Sequence, residues 1–135
     1  MKEDLRLSAY LAGPGKEKEY RRYAIEKYGD KMLLKDPMVI TRDQVLDEVG
    51  ENCFKTFIIR RDKKMINSCD VVIAYLPYIT YGTTFEMAHA YDHGIPVYGI
   101  DPTGELRKDV WLSFHVDQFF DSIDECFQWC LRCQL

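Results

Sequence analysis

No apolar stretch in these 135 residues approaches the length of a membrane-spanning helix, so the 47% of hydrophobic residues belongs to a folded core. Basic runs are missing as well. Arg21-Arg22 and the segment from Arg60 to Lys64 carry acidic neighbours, and the net charge of −4 argues against a grip on nucleic acid. The opening Met1-Lys2-Glu3-Asp4 lacks the apolar centre of a signal peptide, so a soluble, cytoplasmic protein with no membrane partner is expected. Five cysteines, an odd number without such a leader, read as reduced thiols. Cys126, Cys130 and Cys133 share one helix face, and three ligands strung along one helix cannot surround a tetrahedral metal. Packing is the better reading, and neither a metal nor a cofactor is expected. No repeat, low-complexity segment or linker divides the chain, so residues 1–135 are expected to form a single domain.

What is present centres on residues 62–90. Asp70-Val71-Val72-Ile73-Ala74-Tyr75-Leu76 is a short apolar run rich in β-branched residues, the composition of a strand covered on both faces. A loop with Pro77 and Gly82 follows, and the spacing then predicts a helix from Thr83 that stops at Gly94. Such a loop lies at the carboxyl edge of a parallel sheet, where open α/β folds bind ligands. Glu86 falls in the first turn on this reading. It is either half of a Thr83-x-x-Glu86 capping box or a reactive carboxylate facing the crevice.

Strands are expected over 5–12, 31–34, 70–76, 96–100 and 118–120. Helices are expected over 16–28, 42–48, 52–68, 105–114 and 122–133, besides the one from Thr83, with Ser122 and Glu125 as the cap of the last. Residues 38–52 are polar and irregular enough to form a flap. The alternation points to an α/β fold: one doubly wound domain, flavodoxin- or Rossmann-like, with a five-stranded, mainly parallel sheet.

Several groups carry possible chemistry. Gly13-Pro14-Gly15-Lys16, between a strand and a helix, is either an anion cradle or a tight turn, and it is neither a Walker A loop nor G-x-G-x-x-G. Thr80, Gly82 and Thr83 before the next helix can bind phosphate or sugar hydroxyls, or simply cap the helix. Asp62 is either a second carboxyl of the site or part of a solvated face with Arg60, Arg61, Lys63 and Lys64. His89 and His93 have the i, i+4 spacing of a metal pair, but no glutamate lies between them, and surface histidines are the preferred reading.

Taken together, Tyr10 in "YLAGPG", Asp62, Asp70 at the head of its strand, "GTTFEMAHA" and "GIPV" resemble the nucleoside 2-deoxyribosyltransferase superfamily over about residues 7–101. No single piece is specific; their order and spacing together are. The resemblance implies that Glu86 is the nucleophile attacking C1′ of the sugar. It also implies that Asp62 is the acid assisting the departing base and that Tyr10 positions the nucleophile. A carboxylate at a helix N-terminus would be held ionised by the dipole, as a nucleophile must be.

That superfamily divides into transferases acting on nucleosides and hydrolases acting on nucleoside 5′-monophosphates. Six residues before the nucleophile the transferases carry an Asp and the hydrolases a small hydroxyl residue; this chain has Thr80. The interval from Asp62 to Glu86 also resembles the hydrolases, whereas Gly13-Pro14 is closer to the transferases. The resemblance therefore implies an N-glycosidase of (deoxy)nucleoside 5′-monophosphates, with a base-exchanging 2-deoxyribosyltransferase or a non-catalytic nucleotide-binding module as alternatives. Gly13, Pro14, Gly15, Lys16, Thr80, Gly82 and Thr83 would bind the substrate. Ser113 would complete the phosphate site of a neighbouring subunit in a homodimer or larger even assembly. Trp111, Phe114, Phe119 and Phe120, too many large rings for a small domain to bury, point to the same interface.

Overall fold

The computed structural model describes residues 4–38 and 42–133. Its strands are β1 (Ser8–Ala12), β2 (Leu33–Lys35), β3 (Val71–Tyr75), β4 (Val97–Ile100) and β5 (Gln118–Phe120). They form one all-parallel sheet in the order β2-β1-β3-β4-β5, the flavodoxin-like doubly wound arrangement. The helices are α1 (Lys18–Tyr28), α2 (Arg42–Val49), α3 (Glu51–Asn67), α4 (Tyr81–Asp92), α5 (Val110–Phe114) and α6 (Ile123–Cys133), with a 3-10 turn at Leu106–Lys108. Among the described residues no helix is long and apolar enough to cross a membrane.

Strand alternation sorts the core into two layers. Ala9, Leu11, Val71 and Ile73 face α1 and α6, where Tyr20, Ala24, Tyr28, Cys126, Phe127 and Cys130 meet them. Tyr10, Ala12, Val72 and Ala74 face the opposite way, onto Ile66 of α3 and Met87 and Ala90 of α4. That parity sends the Tyr10 phenol toward the helices that carry Asp62 and Glu86. Cys126 and Cys130 pack as expected, while Cys133 is exposed.

Element ends differ from the sequence pattern for local reasons. The first strand begins at Ser8, because Arg6 folds back onto Asp4 and Leu5 is left 81% exposed. The second begins at Leu33, since the N–H groups of Lys31 and Met32 still bond to the Tyr28 carbonyl. The helix expected over 105–114 is broken at Asp109, whose extended backbone lets its side chain cap α5 through Leu112 N–H at 2.9 Å. Ser122 does cap α6, accepting from Glu125 N–H at 3.1 Å. The expected flap lies partly outside the described residues. Its described part, α2, packs on α3 with Val45 buried.

Candidate active site

Tyr10 is fully buried on β1, and its hydroxyl donates to Oε2 of Glu86 on α4. The capping-box reading of Glu86 is wrong. Thr80 supplies the extended N-cap backbone of α4, which starts at Tyr81, so Glu86 sits in the second turn and meets Tyr10 instead of the helix's own N–H groups. The helix dipole fades beyond the first turn, so it does not hold this carboxylate ionised. The carboxyl end lies deep against β1, and burial pushes its pKa up to about 7. The Tyr10 hydrogen bond works against that rise, the Asp62 charge adds to it, and the Arg21 and Arg61 charges oppose it. Burial in turn raises the Tyr10 phenol, followed by the Glu86 charge, so it stays protonated and donates to the carboxylate.

Asp62 stands on α3, half-buried, and lines with Glu86 a cavity of about 610 Å³ that also touches Ile66, Gly82 and His89. A volume of this order suits a small organic ligand. Burial raises the Asp62 pKa, against hydrogen bonds and charge from Arg61. Arg61 Nε and Nη2 reach Asp62 Oδ1 at 3.1 and 2.9 Å, and Nη2 also donates to the Pro37 carbonyl at 2.7 Å. The 60–64 segment is thus solvated at Arg60, Lys63 and Lys64 but turned inward at Arg61 and Asp62.

The loop after β1 is a built turn. Gly13 has φ +150°, and a Cβ there would sit 3.2 Å from the Tyr75 carbonyl oxygen. Its carbonyl and that of Pro14 accept from Arg21 Nη2 and Nη1 at 2.9 and 3.1 Å. Arg21 is only 3% exposed, and its Nε lies 3.3 Å from Asp36 Oδ1, an ion pair whose N–H is not aimed along the contact. Gly15 and Lys16 are exposed at the loop's outer side.

Arg21 and Arg61 escaped the sequence reading because acidic neighbours made both look solvated. The only local sign of Arg21 is its place beside the buried Tyr20–Ala24–Tyr28 stripe. Arg21→Met should lower unfolding stability by about 2 kcal/mol, since it removes the cation beside Asp36 and the partner of the buried Gly13 carbonyl, while Pro14 and Asp36 keep the Glu17 and Met38 N–H groups. Urea titration checks this, and a loss under about 1 kcal/mol would show the pair is dispensable.

At the start of α4, the Thr80 and Thr83 hydroxyls lie 2.8 Å apart, and Thr83 is buried while Gly82 is exposed. Ser113 lies on α5, where its hydroxyl bonds to the Val110 carbonyl at 3.2 Å, and it does not line the Glu86–Asp62 cavity of its own chain. Asp70 is a tether: its Oδ2 accepts from Ser8 N–H and Oγ at 2.9 and 3.0 Å, aligning β1 with β3 at the far end of the sheet. His89 and His93 pack ring to ring, with His89 Nε2 held by Asn67 Oδ1 at 2.9 Å and His93 Nδ1 by the His89 carbonyl at 2.8 Å. Among the described residues no group of three or more His, Cys, Asp or Glu side chains is placed to hold a metal ion.

The all-parallel, doubly wound sheet has the nucleoside 2-deoxyribosyltransferase fold. Solved structures carry that statement. The 2-deoxyribosyltransferase of the psychrotolerant bacterium Bacillus psychrosaccharolyticus aligns at TM-score 0.70 and 22% identity, over 88% of this chain and 89% of its own. A conserved protein from Enterococcus faecalis V583 aligns at 0.72 and 17% identity, over 96% and 99%. The Clostridium botulinum CMP N-glycosidase BcmB aligns at 0.55 and 20% identity, over 91% and 96%. No family model and no curated protein matches the chain. At these identities the likeness establishes the fold, in agreement with the resemblance carried by the motifs.

Proposed function

We propose that this protein hydrolyses the N-glycosidic bond of a (deoxy)nucleoside 5′-monophosphate, with Glu86 as nucleophile. The observation that carries the reading is the Tyr10–Glu86 hydrogen bond facing Asp62 across one cavity. Glu86 attacks C1′ while the bond to the base nitrogen breaks and its electron pair leaves with the base. Asp62 hands that nitrogen a proton, which its raised pKa favours. Tyr10 holds the Glu86 carboxylate in line. Water then attacks C1′ of the glycosyl ester and gives its proton to the Asp62 carboxylate, releasing sugar 5-phosphate and restoring Glu86. The Thr80 hydroxyl and the α4 N-terminus, with the Gly13–Lys16 loop, receive the phosphate.

One observation favours a second reading, base exchange on 2-deoxynucleosides: the backbone superposes better on the transferase than on the N-glycosidase. Incubating the protein with nucleosides and nucleoside 5′-monophosphates, with and without an acceptor base, separates the two. Free base and sugar 5-phosphate are expected from monophosphates alone. Base exchange on unphosphorylated deoxynucleosides without hydrolysis of monophosphates would replace the first reading by the second. A nucleotide that binds tightly and returns intact would favour a binding module.

The active form is a homodimer or larger even assembly. Trp111 is 79% exposed and Phe85 72%, with Val110, Phe114 and Tyr81 exposed beside them, while Phe120 is buried and Phe119 half-buried. Ser113, on the same short helix, reaches into the neighbour's phosphate site. Mixing Glu86→Ala with Ser113→Ala should therefore restore part of the activity, because hybrid dimers hold one site with both native residues. No recovery despite subunit exchange and a defect in each parent would mean that each protomer works alone.

A further inference from the structure

Arg61 and Asp62 are consecutive on α3, and consecutive side chains on a helix do not face each other. Yet Arg61 folds back so that Nε and Nη2 both end on one oxygen of Asp62, Oδ1, at 3.1 and 2.9 Å. What keeps the guanidinium there is the Pro37 carbonyl, in the turn after β2, which accepts from Nη2 at 2.7 Å. Both side chains are largely covered, at 17% and 20% exposure, so the contact is not a solvent-screened surface pair.

Two N–H bonds converging on Oδ1 leave that oxygen as acceptor and favour the acid proton on Oδ2. We propose that Arg61 is a positioning residue: by holding Oδ1 and anchoring on Pro37, it presents Asp62 Oδ2 as the atom that hands the proton to the departing base. The inference rests on Asp62 being the acid of the reaction proposed above. The anchor also makes the acid's geometry depend on a segment distant in sequence, the Asp36–Pro37 turn, whose other hold is the Arg21–Asp36 ion pair.

A leaving group that departs as a stable anion needs no proton, so it separates this role from a general contribution to the fold. The experiment compares wild type, Arg61→Lys and Arg61→Met. Their substrates are the 2′-deoxynucleoside 5′-monophosphate that wild type cleaves fastest and 4-nitrophenyl 2-deoxyribose 5-phosphate, whose 4-nitrophenolate leaves unassisted.

For Arg61→Met, kcat on the nucleotide should fall about tenfold to a hundredfold, part of the range ascribed to general acids. The nitrophenyl compound should be nearly unaffected, so the ratio of the two rates rises. Arg61→Lys, a cation without the fork, should lie between and guards against failure of the Met variant to fold. Equal losses on both substrates would reduce Arg61 to a structural residue, and no loss on the nucleotide would remove it from the mechanism. A wild type that cleaves neither compound would overturn the parent reading together with this one, and is recognisable because the unaltered protein is then inert.

Discussion

Glu86→Gln is expected to abolish turnover and, at neutral pH, to make the protein more stable. The amide cannot attack C1′, yet its oxygen still accepts the Tyr10 hydrogen bond and its volume fits the same place. The stability gain follows from burial. The native carboxyl has its pKa near 7 instead of the ordinary 4.5, whereas the unfolded chain ionises it at the ordinary value. Below pH 4.5 both states hold the proton and Glu86 costs nothing. As pH rises through the interval the unfolded state ionises first, and the native state loses up to about 3 kcal/mol, complete above pH 7. Gln carries no such penalty, so the difference in Tm between variant and wild type should be small near pH 4.5 and widest above pH 7. With Glu86 as the proposed nucleophile, the same ionisation should set the acid limb of the wild-type profile, with kcat/KM rising as pH passes through about 7. Near-native turnover in the Gln variant would remove Glu86 as nucleophile, and a pH-independent Tm difference would refute its raised pKa.

Thr80→Asp should raise KM for nucleoside 5′-monophosphates about a hundredfold without loss of stability. Aspartate caps helices at least as well as threonine, Thr80 at present makes no side-chain bond to an N–H of α4, and a carboxylate can still accept from the Thr83 hydroxyl that Thr80 now meets, so α4 should keep its stability. In the Asp variant the carboxylate occupies the N–H groups offered to phosphate, and it repels each unit charge of the dianion with about 4 kcal/mol at 4 Å in a partly screened site, more than the roughly 2.8 kcal/mol that a hundredfold loss requires. Thr80→Ser is the control and should keep wild-type KM. Thermal unfolding together with initial rates on phosphorylated and unphosphorylated substrates checks both halves. An unchanged KM in Thr80→Asp would place the phosphate elsewhere and shift weight to the transferase reading.

Much of the architecture was legible because each element carries its own local sign. The β-branched run at 71–75 is a two-face-buried strand, Ser122 caps the helix it precedes, and alternation along β1 set Tyr10 opposite Ala9 and Leu11. Element ends were misjudged where a tertiary or capping bond decides them, as when Lys31 and Met32 bond back to Tyr28 or Asp109 caps α5. Motif order alone brought Tyr10, Asp62 and Glu86 forward as a set, and the fold does place them together. The environment of Glu86 was misread because one extra turn of α4 removes it from both the cap and the dipole. Arg21 and Arg61 were invisible for a different reason. A cation buried against the carbonyls of Gly13, Pro14 and Pro37 depends on where other segments lie, and no period in the sequence records that.

The Ser8–Asp70 tether joins residues 62 positions apart, and it aligns the strand bearing Tyr10 with the strand that leads into α4. Closing so long a loop is slow in folding, because its entropy is lost before the parallel pairing compensates. α3, which carries Asp62, forms within that loop and can become helical early, but no compact state lacking the β1–β3 pairing can hold Tyr10 against Glu86. Turnover should thus return only after β1 has paired with β3. A stopped-flow trace would show helical signal returning ahead of turnover, which makes activity in this chain a clock for strand pairing.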